Sequence, residues 1–352
     1  MSENILSIQD LNVDFQTEAG VVHAIRGVSF DLKPQEVIGI VGESGSGKSV
    51  TSLASIGLLA RSATTTGTIL IDNQSVTTMS EKELSNLRGT TVAMIFQDPM
   101  TSLNPVYTIG WQIVEALRAH QKISKKEARV EAQRLLELVG IPQAEKRLDN
   151  YPHEFSGGMR QRAVIAIAMA NQPKVILADE PTTALDVTVQ AQVLQTLRTA
   201  LEISKAALVL ITHDLGVIAG FADRILVMYA GRVVESGLVD EIFYRPAMPY
   251  THGLLGSIPS IDSVSSVRLR QIPGSPPTMV GTHTGCPFAA RCPLRKEICL
   301  TEEPELKLVA ASTNSSIGSE HRSACHFADE VVEMPVASMF PDSSEDFSEE
   351  SK

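Results

Sequence analysis

Val37-Ile38-Gly39-Ile40-Val41 runs directly into Gly42-Glu43-Ser44-Gly45-Ser46-Gly47-Lys48-Ser49. The octapeptide fits G-x-x-x-x-G-K-[ST]. The apolar run before it predicts a buried strand, and residues 49–60 after it predict a helix. Strand, Gly-rich turn and helix start together form a phosphate cradle. The glycines let the backbone curl so that its N–H groups face an anion, and the helix N-terminus adds about half a positive charge. Gly42, Ser44, Gly45 and Gly47 are therefore candidate phosphate ligands. Lys48 is placed to reach β- and γ-phosphates, and Ser49 to ligate Mg²⁺.

A second apolar run, Val175-Ile176-Leu177-Ala178, ends in Asp179-Glu180-Pro181. Ligands of open α/β sheets bind at the C-terminal ends of strands. Asp179 is then expected in the Mg²⁺ shell and Glu180 as general base toward an attacking water. A third run, Ala207–Thr212, precedes His213, which is either an ordinary surface histidine or a donor to the γ-phosphate. Ser156-Gly157-Gly158 opens a helix over 158–171, with Ser156 as N-cap and two glycines exposing N–H groups. This is either a plain capped helix or a second anion-binding start. One nucleotide per chain does not need two such starts; a dimer in which each site borrows the other chain's helix uses both.

The first thirty residues alternate apolar and polar and read as antiparallel strands. Strands then alternate with helices to about residue 245, with a helical insert at about 98–172. This predicts an α/β core with an antiparallel β subdomain. After Phe243, prolines crowd the chain and the pattern turns irregular. The expected division is 1–245, a C-terminal extension 246–329, and an acidic disordered tail 330–352.

The chain has 352 residues, 43% apolar and 20% charged, ordinary for a globular protein. Its net charge is −11, and residues 327–352 hold eight acids against one base. A general basic surface for nucleic acid is absent from this composition. No apolar stretch approaches the ~18 residues needed to span a bilayer, and the N-terminus lacks a basic, apolar leader pattern. The chain is expected to stay in the cytosol. Its four cysteines, Cys286, Cys292, Cys299 and Cys325, all lie in the last quarter, which in a reducing compartment points to metal more than disulfide. Their spacing matches neither the short-gap ferredoxin run nor the usual zinc pattern.

Over residues ~5–245 the sequence resembles the ATP-binding subunit of an ABC transporter. The phosphate loop is 42–49, the signature motif Ser156-Gly157-Gly158, and the Walker B run 175–180. Gln97 matches the glutamine loop, Ala184-Leu185-Asp186 the D-loop and His213 the switch histidine, all in the family's order. The resemblance implies a P-loop ABC ATPase fold and ATP with Mg²⁺ as ligands. By it, Gln97 contacts Mg²⁺ and the attacking water, Ser156 and Gly158 bind γ-phosphate across a dimer interface, and Asp186 communicates between sites. Phe15 is the candidate for stacking on adenine. Where the family's commonest signature has Leu first and Gln fifth, this chain has Phe155 and Met159.

Three stretches are similar to the oligopeptide/dipeptide importer branch: Gln97-Asp98-Pro99-Met100-Thr101-Ser102-Leu103-Asn104-Pro105, Tyr151–Met159 and Asp179–Thr188. The branch's His-Pro-Tyr-Thr segment reads Met248-Pro249-Tyr250-Thr251 here, so any role of that His does not carry over. Its cysteine motif reads Cys286-Pro287-Phe288-Ala289-Ala290-Arg291-Cys292, followed by Cys299 and Cys325. The resemblance implies a [4Fe–4S] cluster held by all four thiolates, with zinc or no metal as alternatives. It also implies a groove lined by residues 98–115 that receives a cytoplasmic helix of the permease. Trp111 lies in that segment and is expected mainly as core packing of the helical insert.

The implied partners are two membrane permease subunits, a second ABC ATPase subunit (identical or homologous) and an extracytoplasmic substrate-binding protein. The implied location is the cytoplasmic face of the membrane, and the implied cargo is di- or oligopeptides. The same machine importing nickel or glutathione is the alternative. A soluble ABC ATPase acting on DNA or ribosomes would usually need a coiled-coil insertion or tandem ATPase domains, and neither is visible. An iron–sulfur regulatory module does not explain the intact hydrolytic residues.

Overall fold

The computed structural model describes residues 4–183, 185–258, 272–281, 283–310, 320–336 and 339–340. Its strands are β1 (Leu6–Thr17), β2 (Gly20–Leu32), β3 (Val37–Val41), β4 (Ala63–Ile71), β5 (Gln74–Ser75), β6 (Val92–Ile95), β7 (Val175–Asp179), β8 (Ala207–Ile211), β9 (Arg224–Tyr229), β10 (Arg232–Leu238), β11 (Lys307–Leu308) and β12 (Arg322–Ser323). Its helices are α1 (Lys48–Ser55), α2 (Glu81–Leu87), α3 (Pro99–Ser102), α4 (Ile109–His120), α5 (Lys125–Leu138), α6 (Ala144–Arg147), α7 (Gly157–Met169), α8 (Val187–Ser204), α9 (Leu215–Ala219), α10 (Val239–Tyr244), α11 (Pro249–Gly256), α12 (Ile298–Thr301) and α13 (Ala328–Val331).

Two sheets organise these elements. The first has the order β2-β1-β4-β5 and is antiparallel, as the alternating pattern of the first thirty residues predicts. The second has the order β11-β12-β10-β9-β3-β8-β7-β6. Its centre is parallel: β3 pairs with β8 and β9, and β7 with β8 and β6. β7 and β8 are buried at every position. Near-continuous apolar runs of this kind belong to strands covered on both faces. Because β3, β8 and β7 are adjacent and parallel, their C-terminal ends share one edge. The phosphate loop, the Asp179-Glu180 pair and the Thr212-His213 step all emerge there.

The helical insert is built from local rules. Ser124 and Glu127 form a reciprocal capping box at the start of α5, and Thr108 caps α4. Ile109, Ile113, Val114 and Leu117 of α4 are buried against Ala128, Ala132, Leu135 and Leu136 of α5 and the apolar body of α7. Trp111, expected in this core, instead stands 38% exposed on the outer face of α4. It stacks on Tyr107 with ring centroids 3.9 Å apart. Its place between Gly110 and Gln112 puts it away from the buried stripe of the helix.

The helix expected over 49–60 stops at Ser55, and Gly57 follows at φ 63°, a left-handed turn. The C-terminal extension has more order than its prolines imply. β12 joins the edge of β10, and β11 joins β12. Pro249 opens α11, whose Tyr250 side chain is fully buried. Tyr229, Tyr250 and Phe288 form one aromatic cluster, with centroids 4.6, 5.3 and 5.4 Å apart. The extension therefore shares the core of the large sheet.

The tail expected to be disordered from 330 is also packed at its start. Val331, Val332, Met339 and Phe340 are buried. Composition registered the acids of this segment, whereas the apolar residues between them supply the contacts. Residues 341–352 and Ala184 of the D-loop lie outside the described residues.

Candidate functional site

The phosphate loop is held from two sides. A Cβ on Gly42 would sit 2.2 Å from the Met228 carbonyl of β9. Gly47 has φ 103°, and a Cβ there would meet Ile25 and the Ala24 carbonyl of β2. Only glycine fits such approaches. Gly231 N–H donates to the Ser46 carbonyl at 3.1 Å, tying the loop to the β9–β10 turn.

Lys48 is buried, and its Nζ donates to the carbonyls of Gly42 (2.7 Å) and Glu43 (2.9 Å) and more weakly to Ser46 Oγ (3.4 Å). Burial lowers its pKa from the ordinary lysine value, while the charges of Glu180, Asp179 and Glu43 pull it back up. The ammonium is the local counterion of three carboxylates and faces the cradle.

The two carboxylates of Walker B are driven apart chemically. Asp179 is 7% exposed; burial raises its pKa, against the Ser49 hydrogen bond, and the neighbouring Glu180 charge adds to the rise. Ser49 Oγ donates to Asp179 Oδ1 at 3.0 Å, so a hydroxyl and a carboxylate sit side by side at the end of the loop. That oxygen pair suits a hard divalent cation whose remaining positions are water and phosphate oxygens.

Glu180 behaves in the opposite way. Burial would raise its pKa, but Thr183 Oγ1 (2.8 Å to Oε2) and His213 Nδ1 (3.3 Å to Oε1) outweigh it, with His213 and Lys48 adding charge. Gln97 Nε2 also donates to Oε2, at 2.9 Å. The carboxyl is held below the usual carboxylate range and is available as an ionised acceptor for a water proton. Glu180 takes φ 47°, and its N–H donates to the Ile211 carbonyl of β8. A left-handed non-glycine residue here is a strained turn held by its neighbours.

Lys48, Ser49, Asp179, Glu180, Gln97 and His213 are thus brought together. The other expected residues lie apart. Ser156 caps α7 by accepting from Met159 N–H at 3.3 Å, and both Ser156 and Gly157 are exposed. Gly158 is buried, and a Cβ on it would lie 2.4 Å from Val189 Cγ1 of α8. Asp186 caps α8 by accepting from Thr188 and Val189 N–H. These contacts run to α7 and α8 rather than to the phosphate loop. Phe15 is half-buried in β1, opposite Val22 of β2 and Ala63 of β4.

Gly158→Ala is expected to destabilise the chain by about 1–3 kcal/mol, because β-branched Val189 has little rotamer freedom to yield. Thermal melting checks this. Val189→Ala should restore most of the loss, and a G158A midpoint equal to wild type would refute it.

Sequence reasoning missed Thr183 as a partner of Glu180, although it stands within the Asp179–Thr188 stretch. It also missed Arg291 and Tyr250, which reach Glu43 of the phosphate loop from the far end of the chain. The one available signal was the presence of both residues in the motifs 286–292 and 248–251.

The four cysteines line a single small apolar cavity together with Phe288 and Phe327. Burial pushes the Cys286 thiol up to about 11 and the Cys325 thiol to about 12. Among the described residues, no three His, Cys, Asp or Glu side chains are grouped to hold a metal ion. The donor set itself, four thiols on one cavity wall, is of the soft kind that thiolate-bound metals and clusters take.

Comparison with known proteins gives a consistent result. The family described as "ABC transporter" matches residues 25–183, and "Oligopeptide/dipeptide transporter, C-terminal region" matches 234–299. The dipeptide transport ATP-binding protein DppD of Bacillus subtilis is 52% identical over 299 residues, 84% of this chain and 89% of that one. The oligopeptide transport ATP-binding protein OppD of Escherichia coli is 47% identical over 303 residues, covering 86% and 90%. OppD of Mycobacterium tuberculosis is 50% identical over 322 residues, 91% of this chain; the chain spans about half (51%) of that relative's length. Among solved structures, the dimeric post-hydrolysis ATP-binding cassette MJ0796 bound to ADP and Pi is 27% identical. Its TM-score is 0.60, covering 66% of this chain and 98% of that one. The cbiO1 protein of Clostridium perfringens, part of the cbiONQ ABC transporter complex, is 30% identical at TM-score 0.59, covering 69% and 91%.

Proposed function

The chain belongs to the ATP-binding proteins of ABC oligopeptide and dipeptide transporters, and on that footing we propose that it hydrolyses ATP to power peptide import through a membrane permease. The observation that carries the reading is the ionised Glu180 carboxylate, oriented by Gln97, Thr183 and His213 beside Lys48 and the Ser49–Asp179 pair.

Lys48 and the loop N–H groups bind the β- and γ-phosphates of ATP. Mg²⁺ held by Ser49 and Asp179 supplies charge neutralisation on the phosphate oxygens. Glu180 accepts a hydrogen bond from a water aimed at the γ-phosphorus. As that water attacks, the bond to the bridging oxygen of ADP breaks and the water proton passes toward Glu180. His213 holds the carboxylate in orientation and stands ready to donate to the γ-phosphate. Ser156, Gly157 and Gly158 serve a second ATPase subunit; the exposure of Ser156 and Gly157 at the start of α7 supports this. Asp186, next to that surface, links the two sites, and Phe15 stacks on adenine.

The permease docks on the segment that follows Gln97, where Met100, Tyr107 and Trp111 are each at least 38% exposed. Among the described residues no helix is long and apolar enough to cross a membrane. Two permease subunits and an extracytoplasmic binding protein complete the importer, with this chain on the cytoplasmic face. Uptake of labelled di- and oligopeptides, with nickel in the same panel, tests the cargo in cells carrying wild type or Glu180→Gln. Loss of peptide uptake alone supports the reading. Loss of nickel uptake alone moves the cargo, and no change in either overturns an import role.

Cys286, Cys292, Cys299 and Cys325 hold a [4Fe–4S] cluster that orders the extension. The support is four soft donors on one cavity, in a lobe too small to be ordered by its own core. Anaerobically purified wild-type protein is expected to carry about four iron and four acid-labile sulfide per chain, and Cys292→Ser to lose both. Wild type free of iron and sulfide would count against the cluster.

A further inference from the structure

We propose that Arg291, in the C-terminal extension, is a positioning residue of the ATP site, acting with Tyr250 through Glu43 to preset the phosphate loop. Arg291 lies 248 residues from Glu43 in the chain yet grips its carboxylate with two bonds, Nη1 to Oε2 at 2.6 Å and Nη2 to Oε1 at 2.9 Å. Its side chain is 6% exposed. The remaining guanidinium contacts fix its plane: Nε donates to the Pro273 carbonyl at 2.8 Å, Nη1 to Tyr229 Oη at 3.3 Å and Nη2 to the Ile272 carbonyl at 3.4 Å. A planar fork held on this many sides is a rigid support, which a lysine cannot reproduce.

The backbone of Glu43 is held by the same lobe. Its N–H donates to the buried Tyr250 hydroxyl at 2.7 Å. In a trans peptide the N–H of Glu43 and the C=O of Gly42 point in opposite directions. Fixing the first therefore fixes the second. The Gly42 carbonyl is the closest acceptor of Lys48 Nζ, at 2.7 Å, and the Glu43 carbonyl is the next, at 2.9 Å. The first carbonyl thus belongs to the peptide that Tyr250 fixes, and the second to the residue whose side chain Arg291 grips. Charge works in the same direction. An unpaired Glu43 carboxylate beside the cradle would oppose a triphosphate; the guanidinium neutralises it and holds it against the extension. Arg291 and Tyr250 reach the loop through Glu43, so they act on ATP binding by positioning rather than by direct contact.

The test uses the full chain, titrated with a fluorescent ATP analogue and Mg²⁺, and the chain assembled with its permease for steady-state ATPase. Arg291→Met is expected to raise both Kd and KM about tenfold, the size of losing one paired charge-assisted contact. kcat at saturating ATP should stay within about twofold, the pattern of lost uniform binding. Arg291→Lys should recover part of the affinity, and Tyr250→Phe should raise Kd about threefold. Glu43→Gln combined with Arg291→Met should weaken binding no more than Arg291→Met alone, since the two act as one unit. A merely structural arginine would lower the melting midpoint and leave the affinity of the folded protein unchanged. That result, additive losses in the double variant, or a fall in kcat at unchanged KM would each overturn the proposal. Should Arg291→Met not fold, Arg291→Lys and Tyr250→Phe carry the same test.

Discussion

Glu180→Gln is expected to lower ATP turnover by about a thousandfold while nucleotide binding survives. The amide matches the carboxylate in size, and its oxygen still accepts from Thr183 at the position of Oε2. What disappears is the negative charge and the capacity to take a proton from water. The pocket is built around that charge: Gln97 and Thr183 donate to one oxygen and His213 approaches the other at 3.3 Å. An amide NH₂ in place of Oε1 faces His213 as a donor, so the three-way orientation fails along with the base. Single-turnover hydrolysis, measured beside binding of a fluorescent ATP analogue, separates the steps. A variant within tenfold of wild-type turnover would remove Glu180 from the proton path.

Lys48→Ala should cost about a hundredfold to a thousandfold in nucleotide affinity, the size of two to three charge-assisted hydrogen bonds. The ammonium stands near Glu180 and Asp179, and without it these two carboxylates face the incoming phosphates without their lysine counterion. Lys48→Arg should not rescue, because a planar fork does not reproduce the point-like ammonium held between the Gly42 and Glu43 carbonyls. Titration of the same analogue reads the loss directly. A melting midpoint near wild type would place it in binding, and an affinity within threefold of wild type would contradict the role of Lys48.

Much of the chemistry was legible before any fold was known, because it rests on local rules. The run from Val37 to Ser49 contains strand, turn and helix start within thirteen residues. Asp179, Glu180 and His213 follow short apolar runs of buried-strand length, and Ser156 announces a helix start by its side chain. Trp111 was misplaced because an apolar side chain says nothing of which helix face the neighbours cover. The start of the acidic tail was misread for a related reason. Its charge was counted, while Val331 and Phe340 found a core that earlier parts of the chain had built.

The sequence by itself determined which residues are candidates for the chemistry, since a phosphate cradle, a capped helix start and a strand-end carboxylate each depend on neighbours a few positions away. Only the tertiary structure decided how they act together. The adjacency of parallel β3, β8 and β7 placed Lys48, Glu180 and His213 at one edge. The same packing left Ser156 and Gly157 exposed at the start of α7, and it brought Arg291 and Tyr250 from the C-terminal extension onto Glu43. Those contacts span 207 and 248 residues. No local pattern specifies a pairing at that range; it exists because the extension buries Tyr250 and Phe288 against Tyr229, at the end of the strand beside β3.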